Sequence, residues 1–277
     1  MPIVTSNFGR GSMKLDLDSN RRNENAVLDC LKSGRHCEPD VAGVFVNVLR
    51  EGDVVIDVGA HIGYFTVLAS VLVGPKGHVI AFEPSAGQVE RLRANLAHND
   101  SKNVTIVEKV VTNQIGDVEF FVNAEDWGEL WSEPWPGSPK ELPPPMRRVL
   151  PGTTLDAELE KLGLPGPKLI KIDVEGAEQR VLEGARGLIT RHQPPFIIAE
   201  LHDFGLEKLG ASQASLRGFI EGLGYSTFGL YYAGTLPRFV PAATRIQGKV
   251  ILNLLFSKPE WIGEYWQTVA IDPNAAG

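Results

Sequence analysis

No run of eighteen apolar residues occurs in this sequence, which excludes a membrane-spanning helix. Cysteine is scarce: Cys30 and Cys37 are the two in 277 residues. Two thiols without a second pair make neither a disulfide framework nor a structural zinc site, and free thiols suit a reducing cytosol. Positive charge is in deficit, with 27 Lys and Arg against 34 Asp and Glu and a net charge of −7. Proteins that grip a phosphate backbone usually present a basic face, so nucleic acid is not the expected partner, although a local basic patch is compatible with this balance. Residues 1–18 are polar and lack the apolar segment of a secretion signal. These shortages point to a cytoplasmic protein without membrane association. They leave the oligomeric state open.

Hydrophobic residues make up 43% of the chain, enough for one large α/β domain with a proper core. The stretch that organises it is Val54-Val55-Ile56-Asp57-Val58-Gly59-Ala60-His61-Ile62-Gly63-Tyr64-Phe65-Thr66. A β-branched apolar run reads as a strand buried on both faces. The run breaks at Asp57 and Gly59 and continues as a helix over 64–73. Strand, glycine turn, helix is the opening unit of a nucleotide-binding α/β fold.

The turn selects among nucleotides. A dinucleotide fingerprint uses its second glycine to bring backbone against a pyrophosphate. His61 stands at that place here and crowds a diphosphate, and the Asp57 carboxylate repels it. Both objections vanish for a ligand that lacks phosphate and carries positive charge, such as S-adenosylmethionine. The next strand, 78–83, ends on Glu83, where a carboxylate accepts hydrogen bonds from ribose hydroxyls. Ribose is common to both cofactor types, so Glu83 argues for a nucleoside in general. The competing reading is a generic βαβ unit with a capping acid.

The remaining pattern continues the alternation. Residues 1–20 lack periodicity and read as a flexible or loosely docked arm. Helices are expected over 25–31 and 40–49, the second with Val41, Val44, Phe45, Val48 and Leu49 at helical spacing. After the helix 88–98, residues 104–111 read as one strand, with Glu108 toward its end facing either adenine or solvent. Val118 to Val122 read as an added strand pairing back. Residues 124–150 hold Trp127, Trp131, Trp135 and six prolines, which exclude a long helix or central strand. That segment reads as a substrate-facing lid whose Trp127 and Trp131 offer aromatic platforms for a sugar ring, or as a stiff surface flap. A helix begins at Thr154, a strand runs over 168–173, one helix covers 177–191 and a strand covers 196–202. A serine-capped helix over 212–223 precedes two final strands, 225–232 and 249–256, as a hairpin around a loop at 233–247. The expected fold is a mostly parallel, Rossmann-like α/β sheet with helices on both faces and an antiparallel C-terminal hairpin. The expected organisation is a lead-in over 1–50, the main domain over 51–260 with the 124–150 insertion, and a packed tail over 261–277.

Four blocks carry a resemblance: Val55 to Thr66; Ala81-Phe82-Glu83-Pro84-Ser85; Thr154-Leu155-Asp156; and Ile170-Lys171-Ile172-Asp173-Val174-Glu175-Gly176-Ala177-Glu178. Together they resemble the FkbM-type S-adenosylmethionine-dependent methyltransferases, from about Glu38 to about Tyr225. The class I methyltransferase fold, the cofactor and an oxygen target are what this resemblance implies. His61 stands where many members carry Asn, and both side chains form hydrogen bonds.

Ligands of such sheets bind beyond the carboxyl ends of the strands. Asp57, Gly59, His61, Gly63, Tyr64, Glu83, Glu108 and Asp173 are the expected cofactor contacts. Asp173 and Glu175, and likewise Glu200 and His202, are spaced two apart, so each pair points one way if its strand continues. Methyl transfer to an alcohol needs alignment with the methyl carbon and a base for the hydroxyl proton. His202 is the first choice as base, since its ordinary pKa is near neutrality, with Asp173 and Glu200 orienting it or binding acceptor. A histidine satisfied by backbone is the competing reading. Glu175 is expected to face the acceptor or to cap the next helix, and Glu178 to favour the helix dipole. A divalent metal on Asp173, Glu200 and His202 is kept as a less favoured alternative. The expected partner is a small hydroxylated molecule: a sugar, glycoside or secondary metabolite. Two other functions stay open, a non-catalytic nucleoside-binding module and a dehydrogenase with a variant dinucleotide turn.

Overall fold

The computed structural model describes residues 3–123, 128–131, 144–231, 236–247 and 251–266. The chain opens with a hairpin of β1 (Ile3–Asn7) and β2 (Ser12–Asp16). Met13, Leu15 and Leu17 alternate inward and are fully buried. Asn95 and Asn99 side chains accept hydrogen bonds from the Asp16 and Lys14 backbone at 2.7 Å each. The expected loose arm is therefore a docked hairpin. Its period-2 signal spans only three apolar residues set among polar ones, too few to stand out in sequence.

α1 (Arg22–Lys32) and α2 (Pro39–Val48) follow, and α2 buries Val41, Val44, Phe45 and Val48. The core unit is β3 (Val54–Val58), α3 (Tyr64–Val73), β4 (His78–Phe82), α4 (Ala86–His98) and β5 (Val104–Val107). The strand expected over 104–111 breaks at Glu108 and Lys109. Its second part, β6 (Val110–Val111), belongs to another sheet with β7 (Gly116–Val122), β8 (Gly128–Glu129) and β9 (Met146–Thr153), in the order β6-β9-β7-β8. Thus β7 pairs antiparallel with β9, across the insertion, and not with β5.

The second half runs α5 (Leu155–Leu162), β10 (Leu169–Ile172), α6 (Glu178–Glu183), α7 (Arg186–His192), β11 (Phe196–His202), α8 (Asp203–Lys208) and α9 (Gln213–Glu221). It closes with β12 (Ser226–Leu230), β13 (Arg238–Val240), β14 (Ile251–Ser257) and α10 (Pro259–Tyr265). The single helix expected over 177–191 is two. Gly184 separates them where the chain passes so close to the Thr112 carbonyl that a Cβ would lie 2.2 Å from its oxygen. The short β13 lies within the expected loop 233–247.

The main sheet has the order β13-β12-β14-β11-β10-β3-β4-β5. β11, β10, β3, β4 and β5 are parallel, and β14 runs antiparallel between β11 and β12. Alternation along each strand divides the core. Val55, Leu169, Phe196 and Ile198 face α2, α3 and the N-terminal hairpin, while Ile56, Val58, Ile170, Ile172 and Ile197 face α5, α6, α7 and α9. The same alternation places Asp57, Lys171, Asp173, Glu200 and His202 on the first face. The chain leaves β3 toward β4 and β5 and later returns on its other side as β10 and β11, so the strand order reverses between β3 and β10.

Candidate active site

The turn after β3 lies against the end of β10. Gly59 takes φ +81°, and a Cβ on it would sit 1.8 Å from the Asp173 carbonyl oxygen. Gly63 takes φ +91°, and its Cβ would meet Leu92 Cδ1 at 2.3 Å. Between them His61 is held at φ +51°, a left-handed conformation that a non-glycine residue adopts at a cost. Backbone hydrogen bonds hold the turn: Gly59 and Ala60 N–H both donate to the Phe82 carbonyl, at 3.0 and 2.9 Å. Glu83 completes it, accepting from the His61 N–H with one oxygen and the Ser85 N–H with the other, each at 2.9 Å.

A cavity of about 300 Å³ opens at this point. One wall is the turn 59–62 with Glu83 and Pro84; a second is Lys109, Val110 and Val111 with Phe120, Gly128 and Leu130. Lys171, Asp173, Val174 and Glu175 form the sheet side, and Asn23, Cys37 and Glu38 close it from the lead-in. Of the residues expected from sequence, Gly59, His61, Tyr64, Glu83, Asp173 and Glu175 line the cavity. The Tyr64 hydroxyl accepts from the Cys37 N–H at 3.1 Å and lies 3.2 Å from His36 Nδ1, which ties α3 to the lead-in.

Other expected contacts lie elsewhere. Asp57 is beneath the cavity floor, fully buried, with Oδ2 accepting from Thr66 Oγ1 at 2.6 Å and Oδ1 3.9 Å from Lys171 Nζ. Burial raises its carboxyl above the ordinary range, against the pull of Lys171 and Thr66. Gly63 acts through α4 packing. Glu108 sits on the outside, paired with Arg93 at 2.8 Å, because β5 ends at Val107 and the turn carries Lys109 inward instead. Lys109 in turn pairs with Glu158 at 2.6 Å.

Lys171 was not singled out by sequence, yet it organises the site. It faces Asp57 across the β3–β10 register, lies 3.0 Å from Asp173 Oδ2, and sits 4.9 Å from the Phe65 ring centre. Burial opposes its charge, but Asp173 and Asp57 outweigh burial and hold the ammonium above its ordinary range. Alternation two residues before Asp173 was the signal: a lysine inside a strand otherwise wholly apolar. One ammonium does not balance the carboxylates around it. Burial, then the charge of Asp173, pushes Glu175 and Glu200 well above the usual carboxyl range. Glu178 is pushed up to about 7 by burial, although its Oε1 accepts from the Val174 and Gly176 N–H groups at 3.1 and 3.0 Å.

His202 is placed differently from the base role expected of it. It is 2% exposed and outside the cavity lining. Its Nδ1 accepts from the Gly205 N–H at 3.0 Å, capping α8, so the neutral ring carries its proton on Nε2 and keeps no lone pair free. Burial pushes it down to about 4. Trp131 stacks on the ring at 6.4 Å, 5% exposed, and donates from Nε1 to the Glu175 carbonyl at 2.9 Å. Trp131 is therefore a strut for the loop after β10 and not an open platform; Trp127 lies outside the described residues. Glu200 also lies outside the lining, in register with Asn253. Among the described residues no group of three or more His, Cys, Asp or Glu side chains is placed to hold a metal ion, and Asp173, Glu200 and His202 do not form one.

A parallel sheet that reverses its order beside β3, closed by an antiparallel β14, with a glycine turn and an acid at the end of β4, is the class I methyltransferase fold. Residues 57–227 match the pattern described as the methyltransferase FkbM domain, and the chain belongs to that family. It is 27% identical over 170 residues to hexuronic acid methyltransferase AglP of Haloferax volcanii, covering 60% of this chain and 62% of that protein. Protein-L-isoaspartate O-methyltransferase of Methanothrix thermoacetophila is 41% identical over 59 residues, 21% of this chain and 28% of that one. The chain thus spans less than two thirds of the length of either relative. Among solved structures, precorrin-6y C5,15-methyltransferase of Geobacter metallireducens superposes with a TM-score of 0.44 at 17% identity, over 81% of this chain and 90% of that one.

Proposed function

We propose that this protein transfers a methyl group from S-adenosylmethionine to a hydroxyl oxygen of a small acceptor, a sugar or glycoside being the favoured class. The observation that carries this reading is the acid-rich lining of the cavity: Glu38, Glu83, Asp173 and Glu175, against Lys109 and Lys171, both already paired. Burial favours the protonated forms of Glu38 and Glu175 in the free site, so the lining gains negative charge beside a cationic nucleoside and, among the described residues, offers a pyrophosphate no unpaired cation. His61, in the place of a dinucleotide glycine, adds to the same preference.

The residues present fit the donor. Glu83 presents its carboxylate at the cavity wall to ribose hydroxyls, and Phe82, Val110, Val111 and Phe120 give apolar surface for a base. Asp173 offers a carboxylate to an ammonium group. When bound, the donor supplies a methyl group on a positively charged sulfur. The protein's part is to align the acceptor, exclude water and take the hydroxyl proton. His202 lacks a free lone pair for that task, so the proton goes to a cavity carboxylate. The name of the Haloferax relative supports a sugar acceptor.

Isotope-labelled methyl donor incubated with a panel of neutral, amino and uronate glycosides tests the reading. Label attached through oxygen supports it. Label on nitrogen or carbon overturns the oxygen target, and label on none of the sugars overturns the acceptor class.

A further inference from the structure

Glu38 lines the cavity but lies outside the residues that match the family. It is the N-cap residue of α2, yet its side chain makes no capping hydrogen bond. Its backbone is left-handed, φ +43°, which for a side chain of this size persists only where the surroundings demand it. Pro39, the first residue of α2, fixes the helix directly after it. The strained turn places a carboxyl in the cavity in preference to a helix cap.

The groups facing Glu38 come from every neighbouring element. Lys171 stands on β10 and Asp173 just after it, Glu200 on β11 and Asn253 on β14. Asp40 stands on α2 itself, Cys37 in the preceding link and Tyr64 on α3. Asn253 donates to Asp40 Oδ2 at 3.2 Å and lies close enough to Glu38 to favour its charged form. Burial, then the charge of Asp173, pushes the Glu38 carboxyl up to about 7, against the pull of Lys171 and Asn253. Asp173 lies 3.0 Å from the Lys171 ammonium. Burial and the charge of Asp173 favour the protonated form of Glu38 in the free site.

We propose that Glu38 is a catalytic carboxyl whose proton is exchanged with the donor: it holds a proton beside Asp173 in the free site, loses it to solvent when a cationic donor enters, and takes the acceptor's hydroxyl proton during transfer. This rests on the methyl-transfer reading above. A positive charge within about 4–6 Å lowers a carboxyl's pKa by about 1–3, enough to empty Glu38 at neutral pH. In the transfer step the acceptor oxygen forms its bond to the methyl carbon. The carbon–sulfur bond breaks, its electron pair stays on sulfur, and the hydroxyl proton passes to the Glu38 carboxylate. The sulfur is then neutral, and Glu38 ends the cycle protonated, as it began. The basic form is present only when the donor is.

Isothermal titration at pH 6.5 in two buffers of different ionisation heat reads this directly. At that pH an ordinary α-amino group is already charged, so the donor's own ammonium contributes little. Wild-type protein should release between about half and one proton per S-adenosylmethionine bound, and far less for S-adenosylhomocysteine, which lacks the positive sulfur. In Glu38→Gln the release should fall by about half a proton or more while the donor still binds. No release, equal release with both compounds, or undiminished release in Glu38→Gln overturns the proposal and leaves the methyl-transfer reading standing. If Glu38→Gln does not fold, the wild type decides alone: donor affinity should rise about fivefold from pH 6 to pH 7 and level off above, and a flat profile overturns the proposal. Failure of wild-type protein to bind the donor at all overturns both. In turnover at pH 7, Glu38→Gln should lower kcat by about 100-fold or more and raise donor KM by about fivefold or more, as the same linkage requires, and unchanged kcat rejects the transfer step.

Discussion

Gly59 and Asp173 are in backbone contact, so close that a Cβ on Gly59 would overlap the Asp173 carbonyl oxygen. The turn that begins the nucleotide site and the strand end that supplies its acids are therefore one rigid unit. Gly59→Ala must separate them and also force an alanine to φ +81°. Its expected cost is about 2–5 kcal/mol, with loss of donor binding. Urea unfolding and a donor-induced thermal shift measure the two effects, and a variant of wild-type stability with an intact shift contradicts this account.

Lys171→Met leaves Asp57 and Asp173 without their buried cation. Breaking a buried pair from one side costs about 3–5 kcal/mol. The cost has a pH signature. Asp57 is already raised in the folded state, and without Lys171 it rises further. The folded variant then holds a proton that the unfolded chain has lost, so its stability falls as pH rises. The stability gap to wild type should shrink between pH 7 and pH 5, which chemical denaturation at both values shows.

His202→Asn separates a cap from a base. Asparagine also caps helices, so stability at neutral pH should fall by no more than about 1–2 kcal/mol and turnover by no more than a few-fold. A loss of turnover of a hundredfold or more restores His202 as base. The histidine carries a second sign. Its folded pKa of about 4 lies below the ordinary 6.5, so the unfolded chain binds the extra proton between these values. The stability His202 contributes is complete above pH 6.5 and is lost as pH falls toward 4. The wild-type advantage over His202→Asn in melting temperature should narrow across that window.

Leu15→Ala tests the N-terminal hairpin as core. Leu15 is fully buried, and truncation of such a side chain costs about 2–5 kcal/mol. A loosely docked arm would lose almost nothing. Equilibrium denaturation distinguishes the two.

Sequence revealed most of the sheet because its strands are buried on both faces, and runs such as Val54–Val58 and Phe196–His202 carry that in composition alone. Strand β14 between β11 and β12 was legible as a final hairpin. What sequence hid was pairing over distance: β7 meets β9 across an insertion, and nothing local in either strand names the partner. The place of Gly59, Glu83 and Asp173 at the cavity was legible because turn geometry and strand ends fix it. Lys171 passed as a strand residue, and Glu38 drew no attention, because their surroundings come from neighbours far along the chain. His202 stood out for the opposite reason. Its residue type suggested chemistry, while the Gly205 N–H and the Trp131 ring had already taken its lone pair and its exposure.

The central claim is that this cavity takes a cationic nucleoside and refuses a diphosphate. Calorimetric titration of the purified protein with S-adenosylmethionine and, separately, NAD tests it most directly. The account predicts saturable binding of S-adenosylmethionine at one site per chain and none of NAD. Saturable binding of NAD with no heat from S-adenosylmethionine would contradict it.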